Sequence, residues 1–304
     1  MSQTIHILGA GAIGKALAVA LQYHQKEVVL IRATVPEGSP VTENMKMVIG
    51  QGKDVLHGSI RVFPLQHFKR FDGPLVVTSK SYGNKQLAET LQSRVQNTPV
   101  ILLQNGLGVE RPFILNGYTQ IYRCVLFITS QISDGLIRLK PVTASPIGII
   151  KGEHDNLNDL VDMLNTETFP FASTRSIDDV VWRKAIANCV FNSICPLLET
   201  DNGIFHRDAD VLAVAERVVS ECLQVANAQG VKLSKEDVMN TILQISKSSD
   251  GQLISTLQDI RARRETEIDT LNLEVVRMAS DLGMSHNVAT TRVLGEMIKL
   301  KSAL

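Results

Sequence analysis

Gly9, Gly11 and Gly14 stand in the run ILGAGAIG near the start of the chain. The apolar residues Ile5, Ile7 and Leu8 come just before this pattern, and Ala16, Leu17, Val19, Ala20 and Leu21 follow at helical spacing. Few folds accept a G-x-G-x-x-G between a strand and a helix. The first glycine permits the tight turn, the second lets a pyrophosphate approach the backbone, and the third lets the helix pack close to the strand. The positive end of the helix then faces the phosphates. EVVLI, with Val28 to Ile31 apolar, supplies a second strand at the right distance for a βαβ unit. The pattern predicts a Rossmann-type dinucleotide-binding domain.

The end of that second strand bears on the cofactor. An NAD site usually carries Asp or Glu there, about 20 residues past the glycines. Here the position holds Arg32, which can pair bidentately with a 2′-phosphate and also suits a solvated strand end. Glu37 is nearby but follows Pro36, in what reads as a loop. NADP(H) is the expected cofactor.

Further strands are expected at Leu75–Thr78 and Val100–Leu103, each running into polar residues. Ligands in a doubly wound sheet lie outside the carboxyl ends of the strands. That places Lys80 and Asn105 where cofactor and substrate should be. Lys80 equally fits a solvated loop, and Asn105-Gly106 a simple turn. CVLFITSQI, GLIRLKP and IGIIKGE read as strands that add antiparallel or mixed pairing, with Asp134-Gly135 as a turn. NLNDLVDMLNTE reads as an amphipathic helix and TFPFASTRSIDD as a polar connector. The expected domains are 1–174, the NADP-binding α/β domain, and 175–304, an all-α substrate-binding and catalytic domain.

Strand signals almost vanish after that point. Helices are expected over 178–192, 209–229, 234–247 and 252–282, with Gly230 and Gly283 as stops. Asp178 and Asp179 favour the positive end of the first, and Ser234 with Asp237 fits a capping box. In the first helix Lys184, Asn188 and Asn192 fall on one stripe, the asparagines about 40° and about 80° round from the lysine. Ala185, Ile186, Ala187, Cys189, Val190 and Phe191 cover the rest, so the helix is a buried one. A buried amine and two buried carboxamides need partners, either an internal network or a polar cleft. The stripe is roughly 12 Å long, enough to follow a small polar substrate. Further on, Ser255 and Glu267 lie in one long helix whose Arg261, Arg263, Arg264 and Glu265 suit a solvated face.

Composition excludes other classes. Net charge is zero across 304 residues, which gives no basic surface for nucleic acid or an anionic membrane. No apolar run reaches the length of a bilayer span, and MSQTIHILGAGAIG lacks the basic start of a secretory signal. Cys124, Cys189, Cys195 and Cys222 have no metal-ligand spacing and read as buried thiols of a reducing compartment. A cytoplasmic enzyme without metal is expected.

Together these segments resemble the ketopantoate reductases (2-dehydropantoate 2-reductases). GAGAIG, NGLGVE, WRKAIANCVFN, the DNG at 201–203 and STLQDIRARRETEID follow the family's order and spacing over nearly the whole length. The resemblance implies the two-domain plan of the 6-phosphogluconate dehydrogenases, and reduction of 2-dehydropantoate to (R)-pantoate with NADPH, on the way to coenzyme A. It implies Lys184 as general acid and Glu267 as the carboxylate that orients it and the substrate. Asn105, Asn188, Asn192, Asn202 and Ser255 resemble substrate-binding groups. Gly9, Ala10, Gly11, Ala12, Ile13 and Gly14, together with Arg32, Lys80 and Asn105, resemble the cofactor site. The partner is then a small 2-keto acid, and the protein a monomer or homodimer. VLFITSQISDGLIRLKPVTASPIG and TSKSYGN depart from the family's usual residues and bear on which acid is taken. A related 2-keto-acid or opine-type dehydrogenase is the alternative, and a non-catalytic NADP(H)-binding regulator ranks last, because Lys184 and Glu267 both stand.

Overall fold

β1 (Ile5–Leu8) runs through the glycine turn into α1 (Ala12–Tyr23), and α1 returns the chain to β2 (Val28–Arg32), parallel to β1 with Ile5 opposite Val28. The structure, a computed structural model, describes residues 3–33, 38–52, 54–95, 97–153 and 156–304, so Pro36 and Glu37 lie outside the described residues. All four residues of β1 are buried, as a strand covered on both faces must be.

The next two elements, β3 (Val41–Ile49) and β4 (Val55–Pro64), were not picked out from the sequence. They form an antiparallel hairpin, and β4 lies parallel to β2 with Arg32 opposite Pro64. In β3 only Met45, Met47 and Val48 are buried, so the apolar alternation that marks a half-buried strand is weak. β5 (Leu75–Val77), β6 (Val100–Leu102) and β7 (Ile121–Cys124) extend the sheet on the other side of β1. The parallel strands stand in the order β4-β2-β1-β5-β6-β7, with the reversal between β1 and β5. That reversal is where a doubly wound sheet binds its ligand.

The expected antiparallel additions are present. β8 (Ile128–Ser133) and β9 (Leu136–Pro141) form a hairpin whose two loop residues, Asp134 and Gly135, have φ of 51° and 73°. Those values match the twist of the flanking strands. β10 (Ser145–Lys151) pairs antiparallel with β7. The stretch read as a polar connector is not one, because Phe171–Ser173 forms β11, parallel to β10, with Phe169 and Phe171 buried and stacked. Two phenylalanines hold that segment against the sheet, while its polar residues account for the connector-like pattern.

Alternate residues serve opposite faces of the sheet. Val76, Ile101 and Tyr122 join α1 and α4 (Leu157–Leu164) in one core. Leu75, Val77, Val100 and Leu102 join α2 (Asn84–Val95) and α3 (Arg111–Leu115) in another.

The chain divides into two units, 1–104 with 109–177, and 105–108 with 178–304. The second is built from α5 (Ile177–Leu198), α6 (Ile204–Arg207), α7 (Ala209–Ala228), α8 (Lys235–Ser248), α9 (Ser255–Arg261), α10 (Asn272–Asp281) and α11 (Ala289–Ala303). Its core gathers Trp182, Ile186, Val190 and Phe191 of α5 with Val218, Val219 and Cys222 of α7. Ser234 caps α8 by accepting from the Asp237 N–H at 3.3 Å.

One expectation fails here. The long helix over 252–282 is two helices, α9 and α10, separated by an irregular stretch and a 3₁₀ turn at Ile268–Thr270. Arg263 takes a left-handed φ of 53°. The Arg264 and Arg263 N–H groups then turn back to the Asp259 and Ile260 carbonyls at 2.8 and 3.0 Å, which closes α9 in a Schellman-type end. The Arg264 side chain also binds the Asp259 carboxylate at 2.8 Å. Among the described residues no helix is long and apolar enough to cross a membrane.

Candidate active site

The glycine turn is shaped by close approach. Gly9 has φ +126°, and a Cβ added there would lie 2.5 Å from the Ser79 nitrogen. One added at Gly14 would lie 1.9 Å from the Gly9 carbonyl oxygen. Around Gly11, by contrast, a Cβ would meet no atom within 4 Å. The backbone there is open, as a phosphate-accepting turn requires. α1 carries no side-chain cap and no acidic residue in its first turn, so its own first turn leaves the positive end unneutralised. The residues present therefore fit a dinucleotide pyrophosphate. Ala10, Ala12 and Ile13 line the same turn and are half-buried.

The segment after β5 is held against that turn. The Thr78 hydroxyl donates to the Gly9 carbonyl at 2.9 Å, and Lys80, exposed, follows two residues later. Below it sits a reciprocal pair of amides. Asn84 Nδ2 donates to Gln104 Oε1 at 2.8 Å, and Gln104 Nε2 donates to Asn84 Oδ1 at 2.7 Å. Asn84 also donates to the Val109 carbonyl at 2.8 Å and Gln104 to the Ser79 carbonyl at 2.7 Å. Both side chains are buried. Buried Arg123 on β7 donates to the Gln104 carbonyl at 2.5 Å and pairs with Glu110 at 3.5 Å.

At the end of β2, Arg32 is not a lone cation. Its guanidinium donates to Glu43 of β3, and Glu43 also accepts from Lys15 of α1 at 3.1 Å. The sequence pattern reaches Arg32 but neither of the other two. Lys15 sits within the helix that the glycines announce, whereas Glu43 lies on a strand whose pattern is too weak to read.

In the second unit, Lys184 and Asn188 are half-buried on α5, while 185–187 and 189–191 are buried. Asn192 is buried too, and its Oδ1 accepts from the Thr256 hydroxyl at 2.7 Å and, more weakly, from Ser255 at 3.5 Å. Asn192 thereby ties α5 to the first turn of α9. Thr256 is a partner that the sequence pattern does not reveal. Asn202 is buried; its N–H donates to the Gln252 carbonyl at 2.9 Å, and its own carbonyl accepts from Ser246 at 2.8 Å. Its carboxamide oxygen is enclosed with no hydrogen-bond partner among the described residues.

Glu267, expected inside a long helix, instead precedes the 3₁₀ turn and is half-buried. The Thr270 hydroxyl donates to its carbonyl at 3.1 Å. The segment 105–108 packs on this same turn, with the Leu107 N–H donating to the Thr270 carbonyl at 2.7 Å and Leu107 buried in the helical core. Asn105, half-buried, thus stands in the chain beside residues that pack on the Glu267 turn.

The cysteines lie away from solvent. All four are free and buried. A hydrogen bond with Cys222, and burial after it, push the Cys189 thiol well up; burial, and Asp201 beside it, push Cys195 up to about 12. Among the described residues no group of three His, Cys, Asp or Glu side chains is placed to hold a metal.

Two family models match the chain, ketopantoate reductase PanE/ApbA over residues 5–141 and its C-terminal counterpart over 176–302. The 2-dehydropantoate 2-reductase of Pyrococcus abyssi is 27% identical over 302 residues, covering 99% of this chain and 98% of that protein. Among solved structures, the dimeric ketopantoate reductase of Staphylococcus aureus superposes with a TM-score of 0.82 at 17% identity, covering 99% of each chain. A D-mandelate dehydrogenase bound to NADH and anilino(oxo)acetate gives the same TM-score at 19% identity, covering 99% of this chain and 98% of that one. With a glycine turn fit for a dinucleotide, an amine on a buried helix and both family models matched, the chain belongs to the ketopantoate reductase family.

Proposed function

We propose that this chain reduces 2-dehydropantoate to (R)-pantoate with NADPH, with Lys184 as the general acid. The observation that carries the proposal is the face of α5, where Lys184 and Asn188 stand half-buried between buried apolar neighbours. The family match over both units supports the substrate. Bound NADPH supplies hydride to the ketone carbon. As the C=O π pair moves onto oxygen, the Lys184 ammonium stabilises the growing negative charge and gives up its proton to make the hydroxyl. The neutral amine is reprotonated from solvent. Glu267 orients the amine and the substrate. Asn105, Asn188, Asn202 and Ser255 bind the acid's carboxylate and hydroxyl. The Asn192 oxygen is engaged by Thr256, so its amide donors are what it offers the substrate. Gly9 to Gly14 cradle the pyrophosphate, while Arg32 and Lys80 bind the phosphate-bearing parts of the cofactor.

The protein acts in the cytoplasm, as its free thiols suggest, and as a monomer or homodimer. A second reading, a dehydrogenase for another 2-keto acid, is favoured by the equal likeness to the D-mandelate dehydrogenase. The deciding experiment follows NADPH oxidation with 2-dehydropantoate against a panel of 2-keto acids that includes an aryl one. The highest kcat/KM is expected for 2-dehydropantoate, and an equal or higher value for another acid would move the assignment to that acid.

A further inference from the structure

Glu43 stands against Arg32, the residue at the end of β2. Three elements of the first unit bring Lys15, Arg32 and Glu43 together, and the carboxylate is shared, one oxygen taken by each cation. Its side chain is only 20% exposed, against 41% for Arg32, so the anion is the more enclosed partner. In an NAD site the carboxylate that accepts the ribose 2′-hydroxyl comes from the end of the second strand. Here that position is an arginine, and the carboxylate arrives from β3 instead. The chain carries the cation for a 2′-phosphate and, against it, the anion for a 2′-hydroxyl.

These two groups oppose each other. A 2′-phosphate near neutrality carries a charge of about −1.5 to −2. To reach Arg32 it must displace Glu43 or sit beside it, and either costs binding energy that a 2′-hydroxyl does not spend. Building on the NADP(H) reading above, we propose that Glu43 is a cofactor-specificity residue. It neutralises part of the Arg32–Lys15 pair and narrows the preference for NADPH over NADH. Glu43 keeps a partner whichever cofactor binds, because Lys15 holds its second oxygen when Arg32 is drawn away.

The test is calorimetric titration of the full chain with 2′,5′-ADP and 5′-AMP, which probe the adenosine end without turnover. In Glu43→Gln the dissociation constant for 2′,5′-ADP falls about tenfold, the effect of removing one unit charge from beside a dianion in a half-exposed site. That for 5′-AMP stays the same or rises. Glu43→Thr, uncharged and well suited to a strand, carries the same expectation should the amide variant fail to fold. An unchanged or weakened affinity for 2′,5′-ADP in the folded variant overturns the proposal, since Glu43 then only orders Arg32. Arg32→Ala separates this failure from failure of the cofactor reading. If it abolishes the preference for 2′,5′-ADP while Glu43→Gln does not raise it, only the role of Glu43 falls. If the unaltered chain shows no preference and Arg32→Ala changes nothing, the NADP(H) reading falls and the proposal with it.

Discussion

Asn84→Ala tests whether the buried amide pair holds the segment after β5. The substitution removes both bonds of the reciprocal pair and the bond to the Val109 carbonyl. Gln104 keeps its contact with the Ser79 carbonyl, but its own oxygen and the Val109 carbonyl lose the donor they shared. Gln104 is 6% exposed and Asn84 2%, so solvent does not readily replace that donor. Each buried polar group left unsatisfied costs about 1–3 kcal/mol. With the small cavity added, the loss is roughly 3–5 kcal/mol. For a unit of this size that lowers Tm by roughly 6–20 °C in a thermal melt followed by circular dichroism. Affinity for NADPH, measured by fluorescence titration on the folded variant, should weaken as well, because the Thr78–Ser79 backbone lies beside Gly9. A drop in Tm of less than about 2 °C would mean that water or side-chain rearrangement satisfies these groups, and the pair would lose its structural role.

Two further outcomes follow from the second unit. Lys184→Ala should lower kcat by about 10²–10⁴-fold, the usual worth of a positioned proton donor, with NADPH affinity little changed; unaltered turnover in steady-state kinetics would remove Lys184 from that role. Asp201 is held down to about 2, below its ordinary 3.8, first by the hydrogen bond from Arg207 and also by the Gly203 and Gly251 N–H groups. Because the folded value is the lower one, this stabilisation is complete above about pH 4 and is lost as the pH falls towards 2. In acid titrations monitored by circular dichroism, Arg207→Ala should move the unfolding limb to higher pH, and coincident limbs would refute the coupling.

The glycine turn, α1 and the sheet strands flanking it were legible because their signals are local. Gly9 and Gly14 sit where a Cβ would collide with backbone, and that demand is written at fixed spacing. The α5 stripe was legible for a similar reason, since helical periodicity alone separates Lys184, Asn188 and Asn192 from their apolar neighbours. The break between α9 and α10 was hidden, because 262–267 holds mostly good helix formers and neither Gly nor Pro to mark a stop, while Arg263 turns left-handed. β3 was hidden because its buried residues are few and two of them are methionines, weak strand markers.

The sequence by itself determined the dinucleotide-binding turn, the sheet-then-helices order and the amine on α5, all set by backbone stereochemistry and by periods of two and 3.6 residues. Only the tertiary structure decided which polar groups meet. Glu43 reaches Lys15 across 28 positions, Asn84 reaches Gln104 across 20, and Asn192 reaches Thr256 across 64. Pattern records whether a residue is buried and on which face. The partner that a buried polar group requires is chosen by chain topology, which brings distant segments within hydrogen-bonding distance.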